Sequence, residues 1–291
     1  MVNRVGRRLV SVGASVALAS GVAVSPAAPA AAVPSMVFVT ATSPIDTRLG
    51  RTQVVHCPPG RRILGGGGYV GGAGREVVID TMIPVSTPTG DYFEVNASAT
   101  TRADGTGFRG EWFLVAYGIC GHAPAGLEYV SAVSATGFES TYGVSVSCPA
   151  GKRVIGVGGE VTPAFGFAVL DDVLPVTTLT SVRVTAFETE TDSPVRWGVK
   201  AHAVCADPIP GLALVSATSP SDSADKTVGV SCPTGTRVHG LGASLAPPLG
   251  EAAITALYPS QPLEHVRLEA REDFTRYAGN WTARVHAICA T

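Results

Sequence analysis

The chain has 291 residues, of which 45 % are hydrophobic and 15 % charged, and its formal net charge is −2 at pH 7. The apolar fraction is large enough for a folded core, and the near-neutral charge excludes a nucleic-acid binder that relies on a basic surface. The 34 glycines and 21 prolines interrupt long helices, so a helical bundle is not expected.

Residues 1–32 are typical of an export signal. Arg4, Arg7 and Arg8 precede an apolar run from Leu9 to Val24, and Ala30-Ala31-Ala32 offers an A-x-A cleavage site. The run is short for a membrane span. We therefore expect a secreted, extracellular protein that has no transmembrane segment once the signal is removed.

Three copies of one unit fill the rest of the chain, and we call them repeat 1 (34–122), repeat 2 (126–206) and repeat 3 (211–291). In each repeat a first Cys opens a C-P-x-G turn, with Arg five residues later and Gly eight and ten residues later. A Trp lies eight residues before a second Cys. The first cysteines are Cys57, Cys148 and Cys232, the second are Cys120, Cys205 and Cys289, and the tryptophans are Trp112, Trp197 and Trp281.

The repeats show the period of two that is typical of β-strands. Before the second Cys of repeat 2, Trp197, Val199, Ala201, Ala203 and Cys205 alternate with the residues between them. About six such strands fit each repeat. We predict an all-β fold of three tandem β-sandwich or Greek-key modules with one disulfide each. The alternative is a single pseudo-threefold assembly, similar to a β-prism, in which the copies share one core.

The six cysteines indicate disulfides, because the protein is expected to be exported and the cysteines recur at repeated positions. Each repeat has its own pair, which selects Cys57–Cys120, Cys148–Cys205 and Cys232–Cys289. A zinc site is not expected, because no C-x-x-C occurs. No cofactor is predicted either. The match of Gly66-x-Gly68-x-x-Gly71 to the dinucleotide fingerprint lacks a helix after it, and there is no phosphate-binding loop motif.

Candidate site residues are few. Tyr117, His202 and His286 occupy the same position in the three repeats, three residues before the second Cys. A metal triad about a threefold axis would need a third histidine, so we interpret the position as a half-exposed strand site that favours a flat ring. No metal site is predicted.

Acidic residues of repeat 2 form a second candidate group. Glu188, Glu190 and Asp192 alternate along a strand, and Asp171-Asp172 lies earlier. Such a face is usually solvated, whereas cation binding or glycosidase chemistry through Asp171, Glu188 or Glu190 are the alternatives.

The motifs C-P-x-G-x-R-[IV]-x-G-x-G and W-x(4)-[YH]-[AG]-[IV]-C-[AG] resemble repeats of secreted actinobacterial proteins. The resemblance covers nearly the whole mature chain and implies secretion and an actinobacterial source. It implies no activity and no functional residue.

We expect an extracellular binding or surface-interaction protein, whose partner is a glycan or an extracellular protein and not a nucleic acid. What repeats is structural, whereas the loops vary, as in multivalent modules. The extra loop around Arg102–Gly105 is a candidate contact site, and a lectin would expose aromatics such as Tyr69, Tyr92, Phe108 or Phe165 on loops. A structural or protective protein, for instance an inhibitor of hydrolases, is the alternative, followed by a glycan-active enzyme.

Overall fold

The computed structural model describes residues 1–2, 33, 35–100, 108–163, 166–189, 193–247, 250–273 and 276–291. Most of the predicted export signal, the loop at Arg102–Gly105, Phe165 and Glu190 lie outside the described residues. Within these ranges all regular structure is β, which confirms the predicted fold class. No helix in this part of the chain is long and apolar enough to cross a membrane.

Each repeat contributes six of the eighteen described strands. Repeat 1 contains β1 (Val37–Thr42), β2 (Gly50–His56), β3 (Arg62–Gly71), β4 (Val77–Thr87), β5 (Gly90–Ala99) and β6 (Phe113–Gly121). Repeat 2 contains β7 (Glu128–Val133), β8 (Thr141–Ser147), β9 (Arg153–Thr162), β10 (Ala168–Pro175), β11 (Ser181–Glu188) and β12 (Gly198–Ala206). Repeat 3 contains β13 (Ala213–Thr218), β14 (Lys226–Ser231), β15 (Arg237–Ala246), β16 (Ala252–Pro259), β17 (His265–Glu272) and β18 (Thr282–Ala290).

The strands form three antiparallel six-stranded sheets, and every sheet takes three strands from each of two repeats. We name the sheets by those repeats. The 1–3 sheet has the order β1-β6-β3-β16-β17-β14, the 1–2 sheet β2-β5-β4-β9-β12-β7, and the 2–3 sheet β13-β18-β15-β10-β11-β8. The repeats are therefore joined in a closed ring by main-chain pairing.

The two half-sheets of each repeat pack on each other as a small sandwich, and the disulfide of that repeat connects them. The predicted pairs Cys57–Cys120, Cys148–Cys205 and Cys232–Cys289 are confirmed, each with a Cα–Cα distance of 5.7 Å. One hydrophobic cluster, which includes all three tryptophans, runs through the three repeats. Each repeat is thus a sandwich, as in the tandem-module prediction, and the shared sheets and core are those of the pseudo-threefold alternative.

The repeated glycines explain how three sheets meet so closely. A Cβ atom on Gly156 would overlap the carbonyl oxygen of Leu64 in the neighbouring repeat, and one on Gly240 would lie 2.6 Å from that of Ile155. Gly65 faces the carbonyl of His239 in the same way. Glycine eight residues after the first Cys is therefore required for backbone to contact backbone between repeats.

The glycine of each C-P-x-G turn has a different role. Gly60, Gly151 and Gly235 have φ angles of 76°, 86° and 84°, which side chains other than glycine rarely adopt. The turn chemistry predicted from the motif is confirmed, and each turn leads the chain from one sheet of the sandwich to the other.

Candidate functional site

The three equivalent ring residues do not converge. Tyr117 lies in β6 of the 1–3 sheet, His202 in β12 of the 1–2 sheet and His286 in β18 of the 2–3 sheet. Their neighbours in sequence face the core, so the rings lie on the opposite, outer face of each sheet. Each ring is directly across from a glycine of the adjacent strand, in the pairs Tyr117–Gly67, His202–Gly158 and His286–Gly242. A flat ring that covers a cross-strand glycine compensates for the missing side chain, which gives this position a structural role.

The two histidines also differ in their surroundings. His202 Nε2 lies 3.5 Å from Glu160 Oε2, and this imidazole lowers the pKa of Glu160. His286 is buried with no hydrogen-bond partner on either ring nitrogen, and burial, aided by Arg284, lowers its pKa to about 4. Among the described residues, no group of three or more His, Cys, Asp or Glu side chains is placed to hold a metal ion.

Glu188 supports a tryptophan. Its Oε1 accepts a hydrogen bond of 3.0 Å from Nε1 of Trp197, and Glu272 accepts the same bond from Trp281. The counterpart of Glu188 in repeat 1 is Ala99. Glu188 pairs with Ala168 across β11 and β10, and Ala99 pairs in the same way with Val77 across β5 and β4.

Asp171 lies in a β-bulge of β10, between Leu170 and Asp172. Leu170 faces the core, so Asp171 points to the outer face, whereas Glu188 points inward at Trp197. Burial and the neighbouring Asp172 raise the pKa of Asp171 to about 8. Asp171 and Glu188 therefore face opposite sides of the sheet and do not form a pair for acid–base catalysis. Glu190 lies outside the described residues.

The outer face of the 1–3 sheet carries a cluster that the sequence did not reveal. We define the aromatic face as Phe38, Tyr69, Phe113, Tyr117 and Tyr258, from four adjacent strands of two repeats. Ring centroids of Tyr117 and Tyr258 are 5.2 Å apart and stacked, and Tyr69 lies edge-on, 6.1 Å from both Tyr258 and Phe113. Phe38 is 5.7 Å from Tyr117. All five rings are half-buried, so they form a continuous surface.

Polar groups border the aromatic face. Arg267 and Glu269 of β17 form an ion pair of 2.9 Å beside Tyr258, and the exposed Thr40 of β1 pairs with Tyr117. Burial and the two neighbouring tyrosines raise the pKa of Tyr117 to about 12, so its hydroxyl keeps its proton at neutral pH. Within the described part of the chain, the hydroxyls of Tyr69, Tyr117 and Tyr258 have no hydrogen-bond partner. The face therefore offers apolar rings together with free donors and acceptors.

A lectin with a binding site on loops would have Tyr69 and Tyr92 outside the strands, but Tyr69 is in β3 and Tyr92 in β5. Phe108 does lie outside the strands, and Phe165 is not among the described residues. The aromatic side chains therefore cluster on the outer face of a sheet and not on loops.

Two grooves are a weaker candidate site. They lie beside the C-P-x-G turns of repeats 1 and 3, with volumes of about 570 Å³ and 350 Å³. Each is bounded by that turn and by the hairpin turn at Thr87–Gly90 or Ser260–Pro262. Among the described residues, none that lines a groove has a buried polar side-chain atom without a partner. Nothing in them demands a ligand.

The three sheets provide an internal comparison for the aromatic face. Twelve residues after the first Cys, Tyr69 corresponds to Glu160 and Ser244, and 26 residues after it, Tyr258 corresponds to Ile83 and Leu174. The same backbone position therefore accepts other side chains in the other two sheets, and the tyrosines are not a requirement of the fold. Neither a protein-family model nor a curated protein sequence matches the chain.

Proposed function

We propose that this chain is an exported glycan-binding protein and that the aromatic face of the 1–3 sheet contacts the glycan. The observation that carries the proposal is the concentration of five rings on the outer face of one sheet, where the positions equivalent to Tyr69, Tyr117 and Tyr258 in the other two sheets are not tyrosine.

The chemistry of the face favours a saccharide. A sugar ring has an apolar C–H side and a rim of hydroxyls, so it needs an aromatic surface with hydrogen-bonding groups at its edge. The free hydroxyls of the tyrosines and the Arg267–Glu269 ion pair supply those groups. A purely apolar partner would leave them buried without partners, which is unfavourable.

Three features support export. Residues 1–32 have the pattern of a signal peptide, the disulfides require an oxidising environment, and the C-P-x-G repeats resemble those of secreted actinobacterial proteins. An extracellular glycan-binding role fits such a location, and the polysaccharides of cell walls are the ligands to test first.

The repeats themselves supply the variants for the test. Tyr69→Ser, Tyr117→His and Tyr258→Leu replace each tyrosine by the residue that the 2–3 sheet has at the same position, so the backbone is known to accept them. The matched control is Glu160→Ser, which makes the same kind of exchange on the 1–2 sheet. Binding is measured by sedimentation with insoluble cellulose, chitin and peptidoglycan, and by calorimetry with soluble fragments.

We expect the oxidised wild-type protein and the control to bind the same polysaccharide. The triple tyrosine variant should bind it at least about tenfold more weakly, because each lost aromatic contact contributes roughly 0.5–1.5 kcal/mol. Equal binding by the triple variant would place the site elsewhere. The absence of binding to every glycan would overturn the proposal and favour a protein partner.

A further inference from the structure

A second feature of the sheets is a β-bulge that recurs in all three, and its charge differs from sheet to sheet. The bulged pair is Asp171-Asp172 in the 2–3 sheet, Asp80-Thr81 in the 1–2 sheet and Thr255-Ala256 in the 1–3 sheet. The three pairs lie 23 and 24 residues after the first Cys. One backbone arrangement thus carries two carboxylates, one or none.

The pair with two carboxylates is buried and incompletely bonded. Asp171 is 5 % exposed and its Oδ1 has no hydrogen-bond partner. Thr185 pairs with Asp172 across the two strands and is 6 % exposed, and its hydroxyl favours the ionised form of Asp172 by hydrogen bonding. Ser244 faces Asp172 from the other side, across the junction between the repeats. Four oxygen-bearing side chains are therefore grouped on the outer face of the 2–3 sheet.

The charge of this group is not balanced by a direct ion pair. Within the described ranges, no cationic group lies within 4 Å of either carboxylate. Arg183 is the nearby positive charge; it is exposed and favours ionisation of both. When both aspartates are ionised, a water molecule would satisfy the oxygens as hydrogen-bond acceptors but would leave the repulsion between the carboxylates, whereas a divalent cation would satisfy the oxygens and balance the charge.

We propose that Asp171, Asp172 and the hydroxyl of Thr185 bind a calcium ion, with Ser244 and water completing the coordination. All the protein ligands are oxygens, which suits a hard cation, and their irregular spacing along a bulge suits Ca²⁺ better than the strict octahedron of Mg²⁺. The site is independent of the aromatic face, which lies on a different sheet. With two carboxylates, its affinity should be that of weak extracellular sites, with a Kd of about 0.1–1 mM.

The three bulges again provide the variants. Asp171→Thr with Asp172→Ala gives the 2–3 sheet the pair found in the 1–3 sheet, and Asp172→Thr gives it the pair of the 1–2 sheet. Asp80→Thr is the control, because it removes a buried carboxylate from the equivalent bulge of the 1–2 sheet. CaCl₂ is titrated calorimetrically into each oxidised protein at about pH 8.5, where aspartates are ionised. Thermal unfolding is followed in parallel with CaCl₂, with EDTA and with NaCl of equal ionic strength.

We expect one calcium ion per wild-type chain. About 10 mM CaCl₂ should raise Tm by roughly 3–10 °C above the NaCl control, as follows from that Kd and the size of the chain. Asp80→Thr should keep the Kd within about twofold, Asp172→Thr should weaken binding more than tenfold, and the double variant should show no binding heat and no Tm shift.

The proposal is overturned if the wild-type protein gives neither a binding heat nor a calcium-specific rise in Tm. It is equally overturned if the double variant, shown to be folded by near-ultraviolet circular dichroism, binds calcium as the wild-type protein does. Should the double variant not fold, Asp171→Asn provides the same comparison with little change of shape. Unchanged binding by that variant would also contradict the site.

Discussion

Replacing Gly156 by alanine should test whether the repeats form one assembly. Gly156 lies in β9 of repeat 2, and a Cβ atom there would overlap the backbone carbonyl oxygen of Leu64 in β3 of repeat 1 and lie 3.0 Å from its carbonyl carbon. The obstructing atoms belong to the main chain of a buried strand, so no side-chain rotation relieves the overlap. Strand β9 or β3 must move.

The expected cost follows from that geometry. Overpacking a core with one extra group usually costs about 1–3 kcal/mol, and displacement of a paired strand brings the value for Gly156→Ala to the upper end or beyond, about 3 kcal/mol or more. A Cβ atom on Gly240 would lie 2.6 Å from the carbonyl oxygen of Ile155, which is the longest of the three distances. Gly240→Ala should therefore lower the free energy of unfolding least, and Gly65→Ala by an intermediate amount. Gly50→Ala is the control, since its Cβ would meet nothing closer than 3.7 Å.

The assay is guanidinium unfolding of the oxidised proteins, followed by the fluorescence of the three buried tryptophans. A shared core predicts one cooperative transition in the wild-type protein, whose midpoint falls in the order Gly240, Gly65, Gly156 for the three alanine variants. The control should be neutral or more stable by up to about 1 kcal/mol. If Gly156→Ala is as stable as Gly50→Ala, the repeats do not pack through these glycines.

Three further outcomes follow from the structure. Replacing Cys148 and Cys205 together by alanine should lower the free energy of unfolding by about 4 kcal/mol, since the bridge closes a separation of 57 residues; this is measured by denaturant unfolding. Glu272→Ala removes the buried acceptor of the Trp281 indole and should cost about 1–3 kcal/mol, visible as a lower denaturant midpoint with glycan binding unchanged. The pKa of the Asp171 carboxyl is raised to about 8, so the folded state binds the carboxyl proton more tightly than the unfolded state does. Without calcium, this protonation contributes fully to the free energy of unfolding below about pH 4, and the contribution is lost as pH rises towards about 8. Tm against pH should fall over that window in the wild-type protein and less steeply in Asp171→Asn; parallel curves would contradict this.

Much of the fold was accessible from the sequence because local pattern determines it. The alternation at Trp197, Ala201 and Cys205 predicts a strand with these side chains on one face, and all three are in the core. The cysteine pairing follows from the repeat and is confirmed. These inferences depend on residues near one another or on copies of the same unit.

The shared sheets were left as an alternative for a physical reason. The pairing of β3 with β16 involves two residue pairs among the described residues, Ala256–Tyr69 and Leu257–Gly68. Nothing in the periodicity of either strand indicates which strand lies beside it. The glycines eight residues after the first Cys could have indicated the contact between repeats, because glycine in a strand often marks a close approach of another backbone.

The aromatic face was missed for the same reason. Tyr69 and Tyr258 belong to different repeats, and their contact exists only because β3 pairs with β16. Glu188 shows the opposite case. Its alternation with Glu190 predicts a solvated acidic face, but the side chain is directed inward to the indole of Trp197, on the same face as the buried Val182, Val184 and Ala186.

The side chains of the three sheets differ most at positions where the fold does not require a particular residue. At the positions of Tyr69 and Tyr258, the fold accepts Glu160 with Ile83 or Ser244 with Leu174, so the backbone does not select the residue. The bulges vary independently, and the sheet with the aromatic face has an uncharged bulge whereas the sheet with the Asp171–Asp172 pair has no tyrosine at the compared positions. Stability alone explains the glycines, cysteines and tryptophans that all repeats share, but it does not explain this separation. The glycan and calcium sites that we propose for separate sheets would account for it.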